Sequence, residues 1–195
     1  MAEVSTRVEP RTDSDLATAA LRFARRMHLG QYRKQSHEQF IEHPIAVARL
    51  LIEAGYDGAM IAAAYLHDTA EKAGAELEEI RERFGPDVAE LVECLTEDPE
   101  IDDYAERKRA LREGIFRSGG HAVTIYAADR VANMRDWREV APEDRSAVGT
   151  RLGTTLAERL DLWSEDLDEL REHDPDTPYL AEMEDELSAL RAEAG

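Results

Sequence analysis

The chain has 195 residues, of which 43% are apolar and 34% are charged. This length and balance predict one well-buried globular domain, since two independent domains need a longer chain. The net charge of −19 argues strongly against long nucleic acid as a partner, because affinity for a phosphate backbone comes from clustered lysine and arginine. No stretch approaches the ~20 apolar residues of a membrane span, and Cys94 is the single cysteine. We therefore expect no membrane partner and a location in the reducing cytoplasm.

Apolar residues recur at the 3.6-residue spacing of amphipathic helices along nearly the whole chain, and no segment alternates as a strand does. Residues 1–12 are rich in charged and turn-forming residues, which predicts a flexible tail. The first helix carries one apolar face from Leu16 to Met27. Asp13 or Ser14 is its predicted cap.

The later helices follow with short connections. Pro44 is predicted to be the first residue of the second helix, because proline is favoured at that position. Helices are predicted over residues 44–54, 58–73, 76–84, 86–96, 103–117, 121–137, 142–166 and 179–192. Short connections between consecutive helices are typical of bundles. The prediction is an all-α fold, a compact single-domain helical bundle over residues 13–195.

The segment from Ile61 to Glu71 is the most informative part of the sequence. Residues 61–66 are apolar or small on every side, which predicts a helix buried all round. This helix then presents His67, Asp68 and Glu71, and buried polar side chains are costly unless something satisfies them. At about 100° per residue, His67 and Asp68 both reach an ion beside the helix, and Glu71 follows on the same side. A His-Asp pair is common, however, and by itself is more often structural.

Two further segments supply matching groups. His43 lies at a predicted helix start, and Asp129 lies in an otherwise apolar turn of a late helix. Alone, each is more often a capping residue or an ion-pair partner. With His67 and Asp68 they make two imidazoles and two carboxylates, a mixed set that suits manganese, iron or zinc and suits calcium poorly. Glu71 would then lie beside the cation, where it could deprotonate an attacking water.

The order His…His-Asp…Asp resembles the HD-domain metal-dependent phosphohydrolases. Within that superfamily the chain is similar to the (p)ppGpp hydrolase domain of the stringent-response enzymes, above all to the stand-alone small alarmone hydrolases. The resemblance covers about residues 16–137. The segments that carry it are Phe23-Ala24, His28-Leu29-Gly30-Gln31-Tyr32-Arg33-Lys34, Ile41-Glu42-His43-Pro44, Tyr65-Leu66-His67-Asp68-Thr69, Phe84-Gly85, Ala128-Asp129-Arg130 and Asn133-Met134-Arg135.

This resemblance implies an HD-type bundle that holds one Mn²⁺, with Fe²⁺ or Zn²⁺ as alternatives. It implies that the 3′-pyrophosphate of (p)ppGpp is hydrolysed, which yields GDP or GTP and pyrophosphate. It also implies that Arg33 and Lys34 hold the guanine nucleotide and that Asn133 lines the same pocket. The family's metal ligands fall on His43, His67, Asp68 and Asp129.

The chain departs from the family at two places. The family's Glu-Asp pair after the His-Asp motif is Glu71-Lys72 here. Near a divalent cation, an ammonium in place of a carboxylate reverses the sign of the local Coulomb energy. Lys72 is therefore expected to clamp a substrate phosphate and not to help generate hydroxide. The second departure, Gln39-Phe40 in place of the usual Pro-Tyr, falls in the loop expected to cradle the nucleoside.

These departures leave three hypotheses open. The first is a (p)ppGpp pyrophosphohydrolase. The second is an HD phosphohydrolase that acts on another nucleotide, such as NADPH, through the altered loop. The third is a nucleotide-binding module in which Lys72 weakens catalysis. All three take a small anionic nucleotide and no nucleic acid polymer, and none of them predicts an oligomeric state.

Overall fold

The computed structural model describes residues 12–194, which form eleven α-helices and one 3-10 turn. Within this part, the only strand-like pairing is a bridge between Tyr32 and Gln39, and no helix has the length and apolar character needed to cross a membrane. The predicted all-α bundle is confirmed. Of the predicted tail, residues 1–11 lie outside the described part. The helices are α1 (Asp13–Met27), α2 (Glu42–Glu53), α3 (Gly58–Leu66), α4 (Thr69–Ala73), α5 (Leu77–Phe84), α6 (Pro86–Cys94), α7 (Tyr104–Ser118), α8 (Gly120–Arg138), α9 (Arg145–Leu152), α10 (Leu156–His173) and α11 (Leu180–Ala194).

The cap of α1 is Thr12, and the prediction of Asp13 or Ser14 is wrong. Thr12 Oγ1 accepts the Asp15 N–H at 3.2 Å, and Asp15 Oδ2 accepts in return from the Thr12 backbone N–H at 3.4 Å. Reciprocal bonds of this kind satisfy N–H groups that have no partner inside the helix. The acid three residues after Thr12 is what favours this residue as the cap.

The continuous helix predicted over residues 58–73 is wrong, because α3 ends at Leu66 and α4 begins at Thr69, although the backbone between them keeps right-handed helical angles. His67 Nδ1 lies 2.8 Å from Ala64 O, and Thr69 Oγ1 donates to Leu66 O at 2.7 Å. These side chains compete with backbone N–H groups for the same carbonyl groups. The polar residues of this segment therefore lie at a junction between two helices.

The single helix predicted over residues 142–166 is also wrong. A 3-10 turn, α9 and α10 occupy this region, and α10 continues beyond it. Gly153 has a φ of 71°, a left-handed conformation that ends α9 and that glycine adopts without a steric penalty. Thr155 and Glu158 then form a capping box that starts α10. The apolar spacing continues across this break and hides it.

Helices α3 and α8 form the centre of the bundle. Residues 60–64 of α3 are all buried, and α8 is buried along most of its length. Helix α3 packs on α1, α2 and α6, whereas α8 packs on α2, α7 and α11, and the two central helices also meet each other. Ala127, Ala128 and Ala132 on α8 are almost fully buried, and their small size lets neighbouring helices approach closely. This packing brings the end of α3, the start of α2 and the middle of α8 together.

Helix α11 covers α8 through ion pairs. Glu186 accepts from Arg135 Nε and from Arg138 Nη1, both at 2.9 Å. Arg145 at the start of α9 is buried and donates to Glu193 at 2.6 Å. The acidic C-terminal third therefore forms ion pairs with arginines of the preceding helices and covers one side of the bundle.

Candidate metal centre and active-site cleft

His67 presents an unpaired ring nitrogen to the interior. Its Nδ1 lies 2.8 Å from Ala64 O, so Nδ1 donates to this carbonyl and Nε2 is the ring nitrogen that faces the interior. Nε2 is buried and makes no hydrogen bond within the described chain. Asp68 Oδ2 lies 3.4 Å from it and Asp129 Oδ1 lies 3.6 Å from it. An imidazole whose Nδ1 is fixed by a carbonyl group, and whose Nε2 faces two carboxylates, has the arrangement of a metal ligand.

His43 and Asp129 reach the same point from α2 and α8. His43 lies in the first turn of α2, and its Nε2 is 2.9 Å from Asp129 Oδ1. Ligand atoms of His43, His67 and Asp129 all lie within 4.8 Å of one another. Asp68 lies at the edge of this group, with Oδ2 3.8 Å from His43 Nε2. The two imidazoles and two carboxylates thus converge, and this donor set fits a divalent cation that accepts both nitrogen and oxygen ligands.

Asp129 is held as an anion. Burial would raise the pKa of its carboxyl group, but the hydrogen bond with His43, the nearby imidazole of His67 and the charge of Arg130 keep that pKa well below its ordinary value. Asn133 Nδ2 donates to Asp129 Oδ1 at 2.9 Å, and Arg130 Nη1 donates to Oδ2 at 3.0 Å. Asn133, which was predicted to line a nucleotide pocket, therefore also orients a candidate metal ligand.

Glu71 and Lys72 line the cleft that contains this cluster. Lys72 Nζ forms an ion pair with the Glu71 carboxylate. The other carboxylate oxygen of Glu71 lies 3.5 Å from the backbone nitrogen of Glu97. The Lys72 side chain is 41% exposed, and burial of the remainder lowers its pKa. Lys72 therefore neutralises the charge of Glu71, the candidate base.

Arg33 and Lys34 lie in the loop between α1 and α2. Arg33 is buried, forms an ion pair with Asp136, and donates from Nη2 to Asn133 Oδ1 at 3.2 Å. Its guanidinium also lies 5.7 Å from the centre of the Phe40 ring. Lys34 is exposed at the cleft. Arg33 and Asn133, which were predicted to share a pocket, lie in contact.

All nine residues predicted for the site line one cleft of about 570 Å³. This volume lies in the range that holds a small-molecule ligand. Later helices add further cations to the same wall, with Arg107 and Lys108 from α7 and Arg159 from α10. The cleft therefore combines a candidate metal centre with an anion-binding wall.

Comparison with known proteins places this fold and cluster in one family. The family described as HD domain matches residues 20–163, which include all four candidate metal ligands. The chain belongs to the HD domain family. Its fold is the predicted HD-type helical bundle. The candidate His and Asp ligands lie at the start of α2, at the junction of α3 and α4, and in the middle of α8.

Two curated relatives and a solved structure resemble this HD domain protein over most of its length. Guanosine-3′,5′-bis(diphosphate) 3′-pyrophosphohydrolase MESH1 of Xenopus tropicalis is 37% identical over 135 residues, which cover 68% of this chain and 75% of that protein. A probable guanosine-3′,5′-bis(diphosphate) 3′-pyrophosphohydrolase of Synechocystis is 34% identical over 157 residues, covering 76% of this chain and 20% of that longer protein. The structure of a metazoan ortholog of SpoT that hydrolyzes ppGpp has a TM-score of 0.73 at 27% identity, covering 95% of this chain and 99% of that one. The resemblance to (p)ppGpp hydrolases is confirmed, and these relatives favour the first of the three hypotheses.

The HD domain cleft contains a basic group that the predicted site did not include. Lys108 forms an ion pair with Glu97, and Arg107 Nε donates to the same carboxylate at 2.6 Å. The neighbouring basic residues 107–109 are a visible cluster in the sequence. Their position in the cleft that His67 also lines follows only from the packing of α7 against α6 and α8.

Arg159 is the missed residue with the weakest sequence signal, because it lies in the acidic C-terminal third. Among residues 12–194 it forms no ion pair. Its guanidinium lies 5.4 Å from the ring centre of Tyr104 and 5.5 Å from that of Trp137. Its Nε is buried without a hydrogen-bond partner, and burial lowers its pKa. A desolvated guanidinium on a cleft wall, with no carboxylate to neutralise it, suits an anionic ligand.

Proposed function

We propose that this protein hydrolyses the 3′-pyrophosphate of (p)ppGpp, which yields GDP or GTP and pyrophosphate. The observation that carries the proposal is the unpaired Nε2 of His67, which faces two carboxylates beside His43 in a cleft with a cationic wall. The names of the two relatives support this substrate, since one is a 3′-pyrophosphohydrolase of guanosine bis(diphosphate) and the other a probable one.

We propose that the cluster holds one divalent cation, Mn²⁺, with Fe²⁺ and Zn²⁺ as the alternatives. When bound, such a cation would acidify a water molecule and polarise a phosphoryl oxygen. The bond between His67 Nδ1 and Ala64 O supports this, because it leaves the imidazole in the tautomer that ligation requires. The proposed ligands are His43, His67, Asp68 and Asp129.

Glu71 is the proposed base. Its carboxylate takes a proton from the attacking water, whose oxygen bonds to the phosphorus attached to the ribose 3′-oxygen. The bond between that phosphorus and the 3′-oxygen breaks, and the leaving oxygen takes a proton from solvent. Lys72 neutralises Glu71 in the structure, so Lys72 exchanges this partner for a substrate phosphate before Glu71 acts. Lys72 is thus a phosphate clamp that also releases the base.

The remaining polar and charged side chains of the cleft are proposed to contact either the nucleoside or the phosphates of the nucleotide. Arg33, Lys34 and Asn133 are the proposed contacts of the nucleoside. Lys108 and Arg159 are the proposed contacts of the phosphates. The protein as a whole carries a charge of −19, so a local basic cleft attracts a small anion, whereas the acidic surface around it repels a nucleic acid polymer.

We further propose that residues 13–195 act as one hydrolase domain and that the protein works in the cytoplasm. The capping box at Thr12 supports a domain that starts at Asp13. The single cysteine, Cys94, is half-buried with Sγ 3.2 Å from Ser118 Oγ, and nothing about it requires an oxidising compartment.

Incubation of the purified, Mn²⁺-loaded protein with ppGpp tests the proposed function. We expect GDP and pyrophosphate in equal amounts by anion-exchange chromatography, and no turnover by Asp129→Asn. Asp168→Asn, which changes an exposed carboxylate on α10, is the matched control and keeps full activity. Absence of GDP at every protein concentration would reject the proposal. Phosphate release from NADPH without action on ppGpp would support the second hypothesis, and tight ppGpp binding without turnover would support the third.

A further inference from the structure

Asp136 lies between a candidate metal ligand and a candidate nucleotide contact. It follows Asn133 by three residues on α8, and its carboxylate forms an ion pair with Arg33. The same oxygen, Oδ2, lies 3.6 Å from His43 Nδ1. One carboxylate oxygen therefore faces both functional groups, and none of the sequence patterns assigned Asp136 a role.

The second ring nitrogen of His43 needs an acceptor. His43 Nε2 faces Asp129, so a neutral His43 that ligates a cation through Nε2 carries its proton on Nδ1. This Nδ1 is buried on a side chain only 2% exposed and has no hydrogen-bond partner within the described chain. In residues 12–194, the only carboxylate within 4.0 Å of it is that of Asp136. A shift of well under 1 Å would bring the two atoms to the usual hydrogen-bond length of about 2.9 Å.

Asp136 also has room for this shift. A second cavity, of about 390 Å³, is lined by His43, Arg33, Asp136 and Glu139, among others. The Asp136 side chain is 21% exposed. Glu139 is three residues further along the chain and shares this cavity, yet within the described residues it forms no ion pair with His43 or Arg33. Glu139 is therefore a matched control for the charge of the cavity.

We propose that Asp136 is a positioning residue with two roles. It accepts the Nδ1–H of His43 and so directs this imidazole toward the cation. The same carboxylate holds Arg33 toward the nucleotide. The inference rests on the metal centre of the proposed function. A carboxylate behind a ligating imidazole fixes the orientation of the ring and raises its basicity. Loss of Asp136 therefore weakens metal binding and nucleotide binding together, whereas loss of Arg33 weakens nucleotide binding while metal binding persists.

Isothermal titration of the metal-free protein with Mn²⁺ tests this role without relying on catalysis. We expect Asp136→Asn to weaken Mn²⁺ binding by about 10- to 100-fold, the range known for loss of such supporting groups. Glu139→Gln and Arg33→Met should bind Mn²⁺ as the wild type does. In the diamagnetic Zn²⁺ form, ¹⁵N NMR should show a single Nδ1–H tautomer of His43 in the wild type and a loss of this signature in Asp136→Asn.

The outcomes separate this inference from the proposed metal centre. A wild type that binds neither Mn²⁺ nor Zn²⁺ would overturn the metal centre itself. Wild-type Mn²⁺ affinity in Asp136→Asn, or an equal loss in Glu139→Gln, would overturn the role of Asp136 and leave the metal centre standing. If Asp136→Asn fails to fold because Arg33 loses its partner, the double variant Arg33→Met/Asp136→Asn removes both charges and takes its place in the titration. Wild-type affinity in that variant would likewise overturn the role.

Discussion

Arg130 and Asp166 form an ion pair in the interior of the bundle, with Arg130 Nε 2.8 Å from Asp166 Oδ2. Arg130 is 4% exposed and Asp166 is 2% exposed. Arg130 also donates to Asp129 at 3.0 Å, and Asp166 accepts from Arg112 Nη1 at 2.5 Å. A chain of buried charges thus runs from a candidate metal ligand on α8 to α10 and α7. The C-terminal third therefore supports the site as well as covering the bundle.

Asp166→Ala should destabilise the fold strongly. The change takes one carboxylate partner from each of two buried arginines, Arg130 and Arg112. Removal of one partner from a buried pair costs about 3–5 kcal/mol. Burial would lower the pKa of Arg130, but Tyr126, Asp166 and Asp129 hold it well above its ordinary value, so Arg130 stays charged. The free energy of unfolding in urea measures this loss.

Asp168→Ala is the matched control for that measurement. Asp168 is exposed on the same helix, and a surface change of this kind shifts the free energy of unfolding by less than about 0.5 kcal/mol. In the Asp166 variant Arg112 retains Glu165 and Glu169, and Arg130 retains Asp129, so the loss measures the part of this buried network that depends on Asp166. Equal unfolding free energies for the two variants would show that the buried pair contributes nothing.

Arg159→Met should weaken anion binding and leave the fold intact. Arg159 has no carboxylate partner to lose in the described chain, and its contacts with the Tyr104 and Trp137 rings are worth about 0.5–1 kcal/mol each. We expect pyrophosphate affinity to fall by about tenfold, equivalent to about 1.4 kcal/mol, in calorimetric titration. Arg171→Met removes an arginine that pairs with Glu184 and does not line the cleft, and should bind as the wild type does. Unchanged pyrophosphate binding by Arg159→Met would contradict the anion site.

Lys72→Met should raise KM for ppGpp more than it changes kcat. Removal of a phosphate clamp costs binding, and a loss of about 1.4 kcal/mol raises KM about tenfold. Steady-state kinetics at saturating Mn²⁺ measure the two constants separately. Lys72→Asp restores the family's pair and distinguishes the third hypothesis. If that variant turns over faster than the wild type at saturating ppGpp, Lys72 is an obstacle to catalysis and not a clamp.

Glu97 should make the stability of the protein depend on pH in the acid range. Burial would raise the pKa of its carboxyl group, but Lys108 and Arg107 lower it to about 2, from an ordinary value of 4.5. A depressed pKa stabilises the fold fully above pH 4.5, and this contribution is lost as the pH falls from 4.5 toward 2. The difference corresponds to about 3 kcal/mol.

Urea unfolding of Glu97→Gln at pH 7 and at successively lower pH checks this expectation. The variant should be less stable than the wild type at pH 7, and the gap between the two should close as the pH falls. The sign follows because the amide binds no proton in either state, whereas the unfolded carboxylate takes up a proton before the folded one. A gap that stays constant down to the pKa of about 2 would contradict the pairing of Glu97 with Lys108.

The candidate metal ligands could be found from the sequence because each is marked by its neighbours. His67 and Asp68 follow a run of apolar residues, and Asp129 interrupts an apolar helix. A polar group that a helix carries into the interior needs a partner, so each segment marks a candidate, and the combination of the segments indicates a site. Helix type and approximate position are also local, because they depend on apolar spacing and on caps within a few residues.

Helix ends were less predictable where side chains compete with the backbone. The junction after Leu66 depends on where the His67 ring and the Thr69 hydroxyl find carbonyl groups. Gly153 was a visible signal for the end of α9, but the apolar spacing runs through it. Periodicity reports which face of a helix is buried, and it does not report where the hydrogen-bond ladder stops.

The sequence by itself determined an all-helical chain with two imidazoles and two carboxylates at buried positions, because burial and helical spacing act between residues close in the chain. Only the tertiary structure decided which charges support that cluster. Asp136 reaches Arg33 across more than one hundred positions, Asp166 reaches Arg130 from another helix, and Arg159 enters the cleft from an acidic segment. Charged residues are common on helix surfaces, and a charge acquires its partner only when packing brings two distant helices together and removes the water between them.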